Sequence, residues 1–362
     1  MTIVGAPGFN RLVIKENADV ECLKLIGIEE LIEKFQTNTN EPLLNGDGIE
    51  IEKWHCLGSF VAISKGVFSI LIGRNDNPYI YRGQNINHSK LIPTALRDEQ
   101  KDVITNCISW VHKQEFLDFF KTTPYYKRCK TFQVFDCVYD FDLEAVAQHY
   151  GFISNYIDVT KEMYIAMFFA YTQYDIEKDE YSPIQDFKNY SPVLYIGNLK
   201  NIYKDYNKAF KIVGFQSVLR PRLQHAMALD ATVPGLKSKF EIIELPKSPA
   251  MALEIYNQFR NGETIFPKDY ISFIAKTIRN SEKININYVQ EYCSLNKIEY
   301  ESLSEQLQNK DFKLTDIKYM ANSYDEYMMN RDLDDWILPT INQYIAVFCS
   351  KKCNYDLHFK RN

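Results

Sequence analysis

The spacing of hydrophobic residues changes along the chain and divides it into three parts. Between residues 17 and 38, apolar side chains recur at helical spacing, which predicts a helix. From about residue 55 to residue 247, short runs of branched and aromatic residues alternate with helical patterns. After residue 247 the pattern is helical nearly to the end. We therefore predict an N-terminal helical lead (1–54), a mixed α/β core (55–247) and a helical C-terminal region (248–362).

The predicted strands of the core are runs of branched and aromatic residues that turn residues bound. They lie within 60–84, 152–160, 191–199, 225–231 and 239–246. Helices are predicted in the core at 99–121, 141–150 and 161–174, and in the C-terminal region at 267–281, 284–296, 299–310, 313–332 and 334–350. Gly151 is expected to end the second core helix, because glycine adopts the left-handed conformation that often follows a helix.

Composition indicates a folded globular protein. Hydrophobic residues make up 46% of the 362 residues and charged residues 25%, the balance expected of a chain with a core. The net charge is −5, and no face is obviously basic, so there is no strong signal of nucleic-acid binding. We find no signal-peptide pattern and no run of about eighteen apolar residues, which predicts no membrane span. The eight cysteines are scattered, as in a reduced compartment, and we expect a cytoplasmic protein.

The candidates for a metal site are Cys349, Cys353 and His358. One C-x3-C pair and a single histidine lack the fourth ligand that a structural zinc site needs. We therefore expect no metal, and a helix with two small buried side chains at this place.

Two arginines early in the core are candidate anion contacts. Arg82 ends the strand-like segment YIYRGQ, and its guanidinium suits a phosphate or a carboxylate. Gly83 beside it lets a ligand or another backbone come close. The alternative for Arg82 is an ion pair that closes a turn. Arg97 follows a Pro-Thr turn, and its alternative is a solvated side chain.

Residues 145–170 carry the most informative polar groups. Gln148 and His149 are predicted on the last turn of a helix. Asp158 and Thr160 are predicted where a strand ends and a helix begins, a turn whose polar side chains and free N–H groups can hold an anion or a ribose hydroxyl. The alternatives are that Asp158 or Thr160 is a plain N-cap and that His149 is a structural residue.

A third polar group lies in the segment VLRPRLQHAMALDA, residues 218–231. Arg220 and Gln224 precede a strand-like run, together with Arg222 and His225. The pattern fits a ligand site, and it fits equally a solvated loop that enters a buried strand.

Taken together, these segments resemble the FRG domain, a family common in bacteria and named for its Phe/Tyr-Arg-Gly motif. The resemblance covers about residues 60–230. The chain departs from the family pattern at Asn155, where the family usually has Arg, and at His225, where it usually has Gly. The motifs that carry the resemblance are Tyr-Arg-Gly-Gln at 81–84, Pro-Thr-x-Leu-Arg at 93–97, Gln-His-x-Gly at 148–151, Asp-x-Thr at 158–160, x-Ala-x-Phe-Phe-Ala at 165–170, and Arg220 with Gln224.

The order of these motifs is also similar to that of ADP-ribosyltransferases. This likeness implies an α+β fold with a mixed, mainly antiparallel sheet as its core, and NAD as the substrate. Arg82 takes the place of the strand arginine that holds the phosphate and ribose of NAD in those enzymes. Asp158 and Thr160 stand near their bracing Ser/Thr motif, and Gln224 falls near their late glutamate.

The glutamine at position 224 raises the question of where a carboxylate would come from. An amide can hydrogen-bond a ribose hydroxyl, but it cannot offset a developing positive charge as a carboxylate does. Asp158, Glu241 or Glu244 would have to supply the charge. Otherwise the domain binds its ligand without turnover.

The function that the resemblance implies is binding of NAD or a related nucleotide, with transfer or hydrolysis of its ADP-ribosyl group, as in a bacterial toxin or phage-defence effector. Arg82, Asp158 and Gln224 are the expected catalytic residues. The alternative is a non-catalytic nucleotide-sensing or protein-interaction module with the same pocket. Its C-terminal helices would contact a protein partner, as they would a protein acceptor in the enzyme. A nuclease-like toxin ranks last, because no metal-binding carboxylate cluster or histidine pair has credible spacing. The expected nucleotide contacts are Tyr81, Gly83, Gln84, Arg97, Gln148, His149, Thr160 and Arg220.

Overall fold

The computed structural model describes residues 59–64, 67–71, 78–88, 91, 93, 102–131, 133–134, 137–206, 209–213 and 219–320. Some of the predictions above lie outside these residues. They are the helix at 17–38, the site residue Arg97, the group Cys349, Cys353 and His358, and the helices beyond residue 320.

The strands form one large sheet and three smaller ones. In chain order they are β1 (Ser59–Ser64), β2 (Val67–Leu71), β3 (Tyr79–Gln84), β4 (Gln133–Val134), β5 (Cys137–Tyr139), β6 (Tyr156–Thr160), β7 (Thr172–Asp175), β8 (Glu180–Pro183), β9 (Val193–Asn198), β10 (Phe210–Ile212), β11 (Ala226–Asp230), β12 (Phe240–Glu244), β13 (Lys283–Asn285) and β14 (Lys313–Thr315). The central sheet has six strands in the order β10-β11-β6-β3-β9-β12, and each neighbouring pair is antiparallel. The smaller sheets are β1-β2-β5-β4, β7-β8 and β13-β14.

Helices surround the central sheet. They are α1 (Val103–Thr122), α2 (Pro124–Thr131), α3 (Leu143–Gln148), α4 (Met163–Tyr171), α5 (Leu199–Tyr206), α6 (Leu219–Leu223), α7 (Pro249–Gln258), α8 (Tyr270–Arg279), α9 (Ile286–Asn296) and α10 (Tyr300–Gln308), with a 3-10 helix at Leu236–Lys239. The predicted α+β class with an antiparallel sheet is confirmed. Within the described residues, no helix is long and apolar enough to cross a bilayer.

Most of the central sheet is buried on both faces, and its most buried strands carry apolar runs rather than an alternation with polar residues. Strands β9 and β11 are buried along nearly their whole length. One face of the sheet packs against α4 and α7. The other face packs against α5 and the 3-10 helix. The sheet is therefore a middle layer, and its polar site lies at strand ends.

Helices α8, α9 and α10 pack against α1. One stretch of α1, with Phe116 and Phe120, shares a core cluster with Ile271 and Ile278 of α8. An earlier stretch of α1 shares a second cluster with α9 and α10. This packing places residues 265–279 next to the end of β11, where the backbone oxygen of Ile265 accepts a hydrogen bond from Gln224.

The predicted helix at 161–174 is wrong at its end. Helix α4 stops at Tyr171, and residues 172–175 form strand β7, which pairs with β8. Asp175 explains the change, because its Oδ1 accepts from the backbone N–H groups of Glu177 and Lys178. Such a local side-chain to backbone turn competes with helix continuation. A hairpin follows where we predicted the last turn of the helix.

Two predictions in the C-terminal region also need correction. The helix predicted from 313 begins instead as strand β14, which pairs in parallel with β13. The helix predicted from 284 begins at Ile286, because Asn285 caps it through its side chain. Helix α7 was not predicted, although Ser248 at its N-cap and Pro249 after it are a recognised start signal.

Candidate functional site

A cleft of about 700 Å³ lies at the end of the central sheet, between β3, β6, the turn after α3, and residues from α1 and α8. Most of the residues that the sequence singled out line this one cleft. They are Tyr81, Arg82, Gly83, Gln84, Gln148, His149, Asp158, Thr160 and Gln224. The structure therefore brings together three segments that are far apart in the chain.

Asp158 presents the carboxylate of the cleft. About 40% of its side chain is exposed. Its Oδ1 accepts a hydrogen bond from Gln148 Nε2 at 2.7 Å, and its backbone oxygen accepts one from Arg82 Nη1 at 2.9 Å. Gln148 is in turn held by Ser154, whose hydroxyl donates to Gln148 Oε1. These contacts fix the carboxylate while leaving much of it open to the cleft.

Asp158 is not a helix cap. It lies inside β6, and α4 begins after Glu162, whose side chain makes no capping hydrogen bond. The N-cap alternative for Asp158 is therefore wrong. Thr160 makes the nearest equivalent contact, because its Oγ1 accepts from the backbone N–H of Glu162 at 3.1 Å. Thr160 Oγ1 also donates to the backbone oxygen of Gln224 at 2.8 Å.

His149 lies behind Asp158 and is buried. Its Nδ1 is 2.9 Å from Gln224 Oε1, and its Nε2 is 3.6 Å from Asp158 Oδ1. Gln224 Nε2 donates to the backbone oxygen of Ile265 at 2.9 Å. Because that bond turns Gln224 Oε1 towards the ring, Nδ1 carries the proton and Nε2 is the acceptor nitrogen.

The charge state of His149 follows from its surroundings. Burial lowers the pKa of His149, and the nearby carboxylate of Asp158 opposes the shift only in part. The imidazole is therefore neutral at neutral pH. Nε2 has no hydrogen-bond partner within the described residues, so a proton acceptor stands beside the carboxylate.

Gln224 is buried, and its side-chain amide is used by the protein on both sides. Its oxygen faces His149 and its nitrogen faces Ile265. The residue thus holds the imidazole and ties β11 to the segment before α8.

Gly83 is explained by a close approach of two backbones. A Cβ at this position would lie 1.6 Å from the backbone oxygen of Ala166 in α4. Of the two uses predicted for Gly83, the approach of another backbone is therefore confirmed. Tyr81 and Gln84, on either side, are buried and line the cleft.

Arg220 lies behind the cleft wall and is not among the residues that line it. Its guanidinium is fully buried and contacts both carboxylate oxygens of Asp179, at 2.5 and 3.3 Å. Its Nε donates to the backbone oxygen of Pro267 at 3.1 Å, and its plane lies 3.6 Å from the centroid of the Phe266 ring. In this arrangement Arg220 braces the segment that closes the cleft.

Several cleft residues were missed by sequence reasoning. They include His112 of α1, Arg279 of α8, and a group of aromatic residues, namely Phe169, Tyr174, Tyr181 and Phe266. Burial lowers the pKa of His112 to about 4, so this imidazole is also neutral. The rings of Tyr181 and Phe266 meet edge to face, with 4.9 Å between centroids. Phe169 stands in the x-Ala-x-Phe-Phe-Ala motif, whereas the other residues stand in no motif and are brought here by tertiary packing.

Glu241 and Glu244 lie away from the site. Both are exposed on β12, the outermost strand of the central sheet, and neither lines the cleft. Among the described residues that line the cleft, Asp158 carries the only carboxylate.

The fold and the cleft together define an α+β protein with an antiparallel sheet and a ligand-sized cleft that polar and aromatic residues line. Residues 77–179 match the family model of the FRG domain, so the chain contains an FRG domain. The match includes Arg82, Gln148, His149 and Asp158, and Gln224 lies beyond it. A search of the curated proteins and a search of the solved structures each found no match.

Proposed function

We propose that the cleft binds NAD or a related nucleotide, and that the protein cleaves the bond between nicotinamide and ribose, passing the ADP-ribosyl group to water or to an acceptor. One observation carries the proposal. A single exposed carboxylate, Asp158, is held by Gln148, stands beside Arg82, and has the acceptor nitrogen of His149 behind it.

The carboxylate meets the main chemical demand of this reaction. When the bond to nicotinamide breaks, its electron pair leaves with nicotinamide, and positive charge develops on the ribose. A fixed negative charge at that place stabilises the transition state more than the ground state. In our proposal Asp158 provides this charge. A carboxylate at position 224, where this chain has glutamine, is then not needed.

The attacking oxygen must also lose a proton. Asp158 takes this proton in our proposal, and the proton passes to Nε2 of His149. The distance of 3.6 Å between Asp158 Oδ1 and His149 Nε2 is longer than a hydrogen bond, and such contacts are often long before substrate binds. Gln224 acts through His149, because its oxygen fixes the tautomer that leaves Nε2 free to accept.

The remaining lining suits the rest of a nucleotide. The cleft volume of about 700 Å³ is in the range of small-molecule sites. Arg82 supplies a cation for a phosphate. Phe169, Tyr181 and Phe266 supply aromatic surface on which a planar base can stack.

The test is release of nicotinamide from NAD, followed by chromatography. Purified wild-type protein is expected to release it, and Asp158→Asn is expected to be at least 100-fold slower, the usual cost of removing a transition-state charge. Glu244→Gln removes an exposed carboxylate of the same sheet and is expected to behave as wild type. If NAD is neither bound nor consumed, the proposal is wrong.

A second candidate is a nucleotide-sensing module without turnover. It is favoured by Gln224, since an amide whose two ends both bond to protein stands near the place of the late glutamate of the transferases. Saturable binding of NAD by calorimetry, without release of nicotinamide, would support this candidate. Consumption of NAD would instead fit a toxin or a phage-defence effector, with the C-terminal helices as the surface for a protein acceptor.

A further inference from the structure

Arg279 carries a guanidinium that is largely buried in the wall of the cleft. It is the last residue of α8, lines the cleft, and has 11% of its side chain exposed. Within the described residues it donates no hydrogen bond, and its buried Nε has no partner. A guanidinium carries five N–H donors, and burying them unpaired is unfavourable. Within the described residues, the guanidinium of Arg279 therefore has no hydrogen-bonded acceptor.

The nearest carboxylate does not satisfy Arg279. Asp179 Oδ1 is 3.5 Å from Arg279 Nη2. However, Arg220 contacts both oxygens of Asp179, and the hydroxyl of Tyr174 donates to Oδ1 at 2.5 Å. Two guanidinium groups thus share one carboxylate, and Arg220 has the shorter contacts.

A glycine makes room for the Arg279 guanidinium on the cleft wall. Gly151 has a left-handed φ of 84°, and a Cβ there would lie 2.7 Å from Arg279 Nη1. Gly151 follows Gln148 and His149, so the turn that carries the site also leaves space for this cation. The position faces the same cleft as Asp158.

We propose that Arg279 and the Gly151 turn form an oxyanion subsite, which binds a phosphate group of the ligand. The subsite rests on the proposed function in one respect, since it names where the diphosphate of the nucleotide lies. It also explains why residues beyond the FRG match belong to the site. α8 contributes the cation, while β3 and β6 contribute Arg82 and Asp158.

The experiment measures binding of inorganic pyrophosphate to the full chain by calorimetry. Arg279→Gln is expected to weaken binding at least tenfold. Lys276→Gln removes a positive charge one turn earlier on α8, where Lys276 bonds to the backbone oxygen of Glu177 and does not line the cleft. This control is expected to stay within twofold of wild type. Equal binding by Arg279→Gln and wild type, or an equal loss in Lys276→Gln, overturns the subsite.

Two further variants guard against misfolding of Arg279→Gln. Arg279→Lys keeps the charge but not the planar fork, and an intermediate loss is expected. Gly151→Ala places a methyl group against the guanidinium and is expected to weaken pyrophosphate binding at least threefold, in protein whose near-ultraviolet circular dichroism confirms a folded core. Unchanged binding in both folded variants contradicts the subsite.

The outcomes separate the subsite from the chemistry. If pyrophosphate binding depends on Arg279 while no nicotinamide is ever released from NAD, the subsite stands and the proposed chemistry fails. If nicotinamide release depends on Asp158 while pyrophosphate binding ignores Arg279, the chemistry stands and the subsite fails.

Discussion

Two buried polar clusters meet at the cleft, and they differ in how completely their hydrogen bonds are used. In the first, Gln148 and His149 contact Asp158, whose carboxylate is partly exposed, and Gln224 holds His149 from the other side. In the second, Arg220 is fully buried and bonded to Asp179 and to the backbone of Pro267. In our proposal the first cluster acts on a bound ligand, whereas the second holds the cleft wall in place.

Arg220 and Arg279 show the same difference, because the guanidinium groups of both approach the carboxylate of Asp179. Arg220 has short contacts on every side, while Arg279 has one contact of 3.5 Å. An arginine that stands in a motif does not by that fact indicate a ligand site. Hydrogen-bonding capacity that the protein leaves unused is the better indication.

The largest expected effect tests the holding cluster. Arg220→Met should lower the free energy of unfolding by about 3–5 kcal/mol, because it leaves the carboxylate of Asp179 buried without its main partner. Urea denaturation measures this loss. Lys268→Met is the control, since it breaks the exposed pair with Glu180 and should cost less than about 1 kcal/mol. Equal stability of Arg220→Met and wild type would mean that the second cluster does not hold the wall.

A somewhat smaller effect concerns Glu115, a buried carboxylate of α1 that does not line the cleft. Its Oε1 accepts from the backbone N–H of Asn285 at 2.7 Å, and burial raises its pKa from 4.5 to about 7. Because its pKa is raised, Glu115 contributes its full stability below pH 4.5, and this contribution is lost as the pH rises through about 7. Glu115→Gln should therefore gain stability over wild type as pH rises from 4 to 8, by on the order of 3 kcal/mol.

The stability of Glu115→Gln must be compared with that of wild type at each pH, because the contribution of His112 to stability depends on pH in the opposite direction. Its pKa is lowered from 6.5 to about 4, so its contribution is lost as pH falls through that range. Thermal unfolding of both proteins from pH 4 to 8 separates the two. A stability difference that does not change with pH would show that Glu115 has the same pKa in the folded and the unfolded protein, which would contradict this prediction.

The smallest expected effect sharpens the role of Gln224. Gln224→Met removes the acceptor that fixes His149 and should slow nicotinamide release about tenfold, with the KM for NAD nearly unchanged, because the effect passes through the imidazole. Gln224→Glu keeps an acceptor at that place and should raise the pKa of His149, which shifts the pH profile of the rate upwards. A large rise in KM with an unchanged pH profile would instead show direct contact between Gln224 and the ligand.

Much of the sheet could be predicted from the sequence, because its strands are continuous runs of branched and aromatic residues. The segments around Tyr156–Thr160, Val193–Asn198 and Ala226–Asp230 were all found in this way. The hairpin after Tyr171 was not found, since its first strand, Thr172–Asp175, is short and has no clear alternation, and the Asp175 turn follows it directly.

The site could be predicted in part for a similar reason. Arg82, Gln148, His149 and Asp158 stand in short motifs, on the neighbouring strands β3 and β6 and at the end of α3. Arg279 could not be predicted, because its place depends on how α8 packs against α1. The bracing role of Arg220 could not be predicted either. Its partner Asp179 lies 41 residues away, and nothing in the sequence links the two residues.

The most direct test of the division between the two clusters is one variant measured in two ways. Asp158→Asn should lose nicotinamide release from NAD by at least 100-fold, and its free energy of unfolding should stay within about 1 kcal/mol of wild type, because the side chain is partly exposed. That result would assign Asp158 to chemistry. Full activity in Asp158→Asn, or a loss of activity that only follows a loss of stability, would contradict the account.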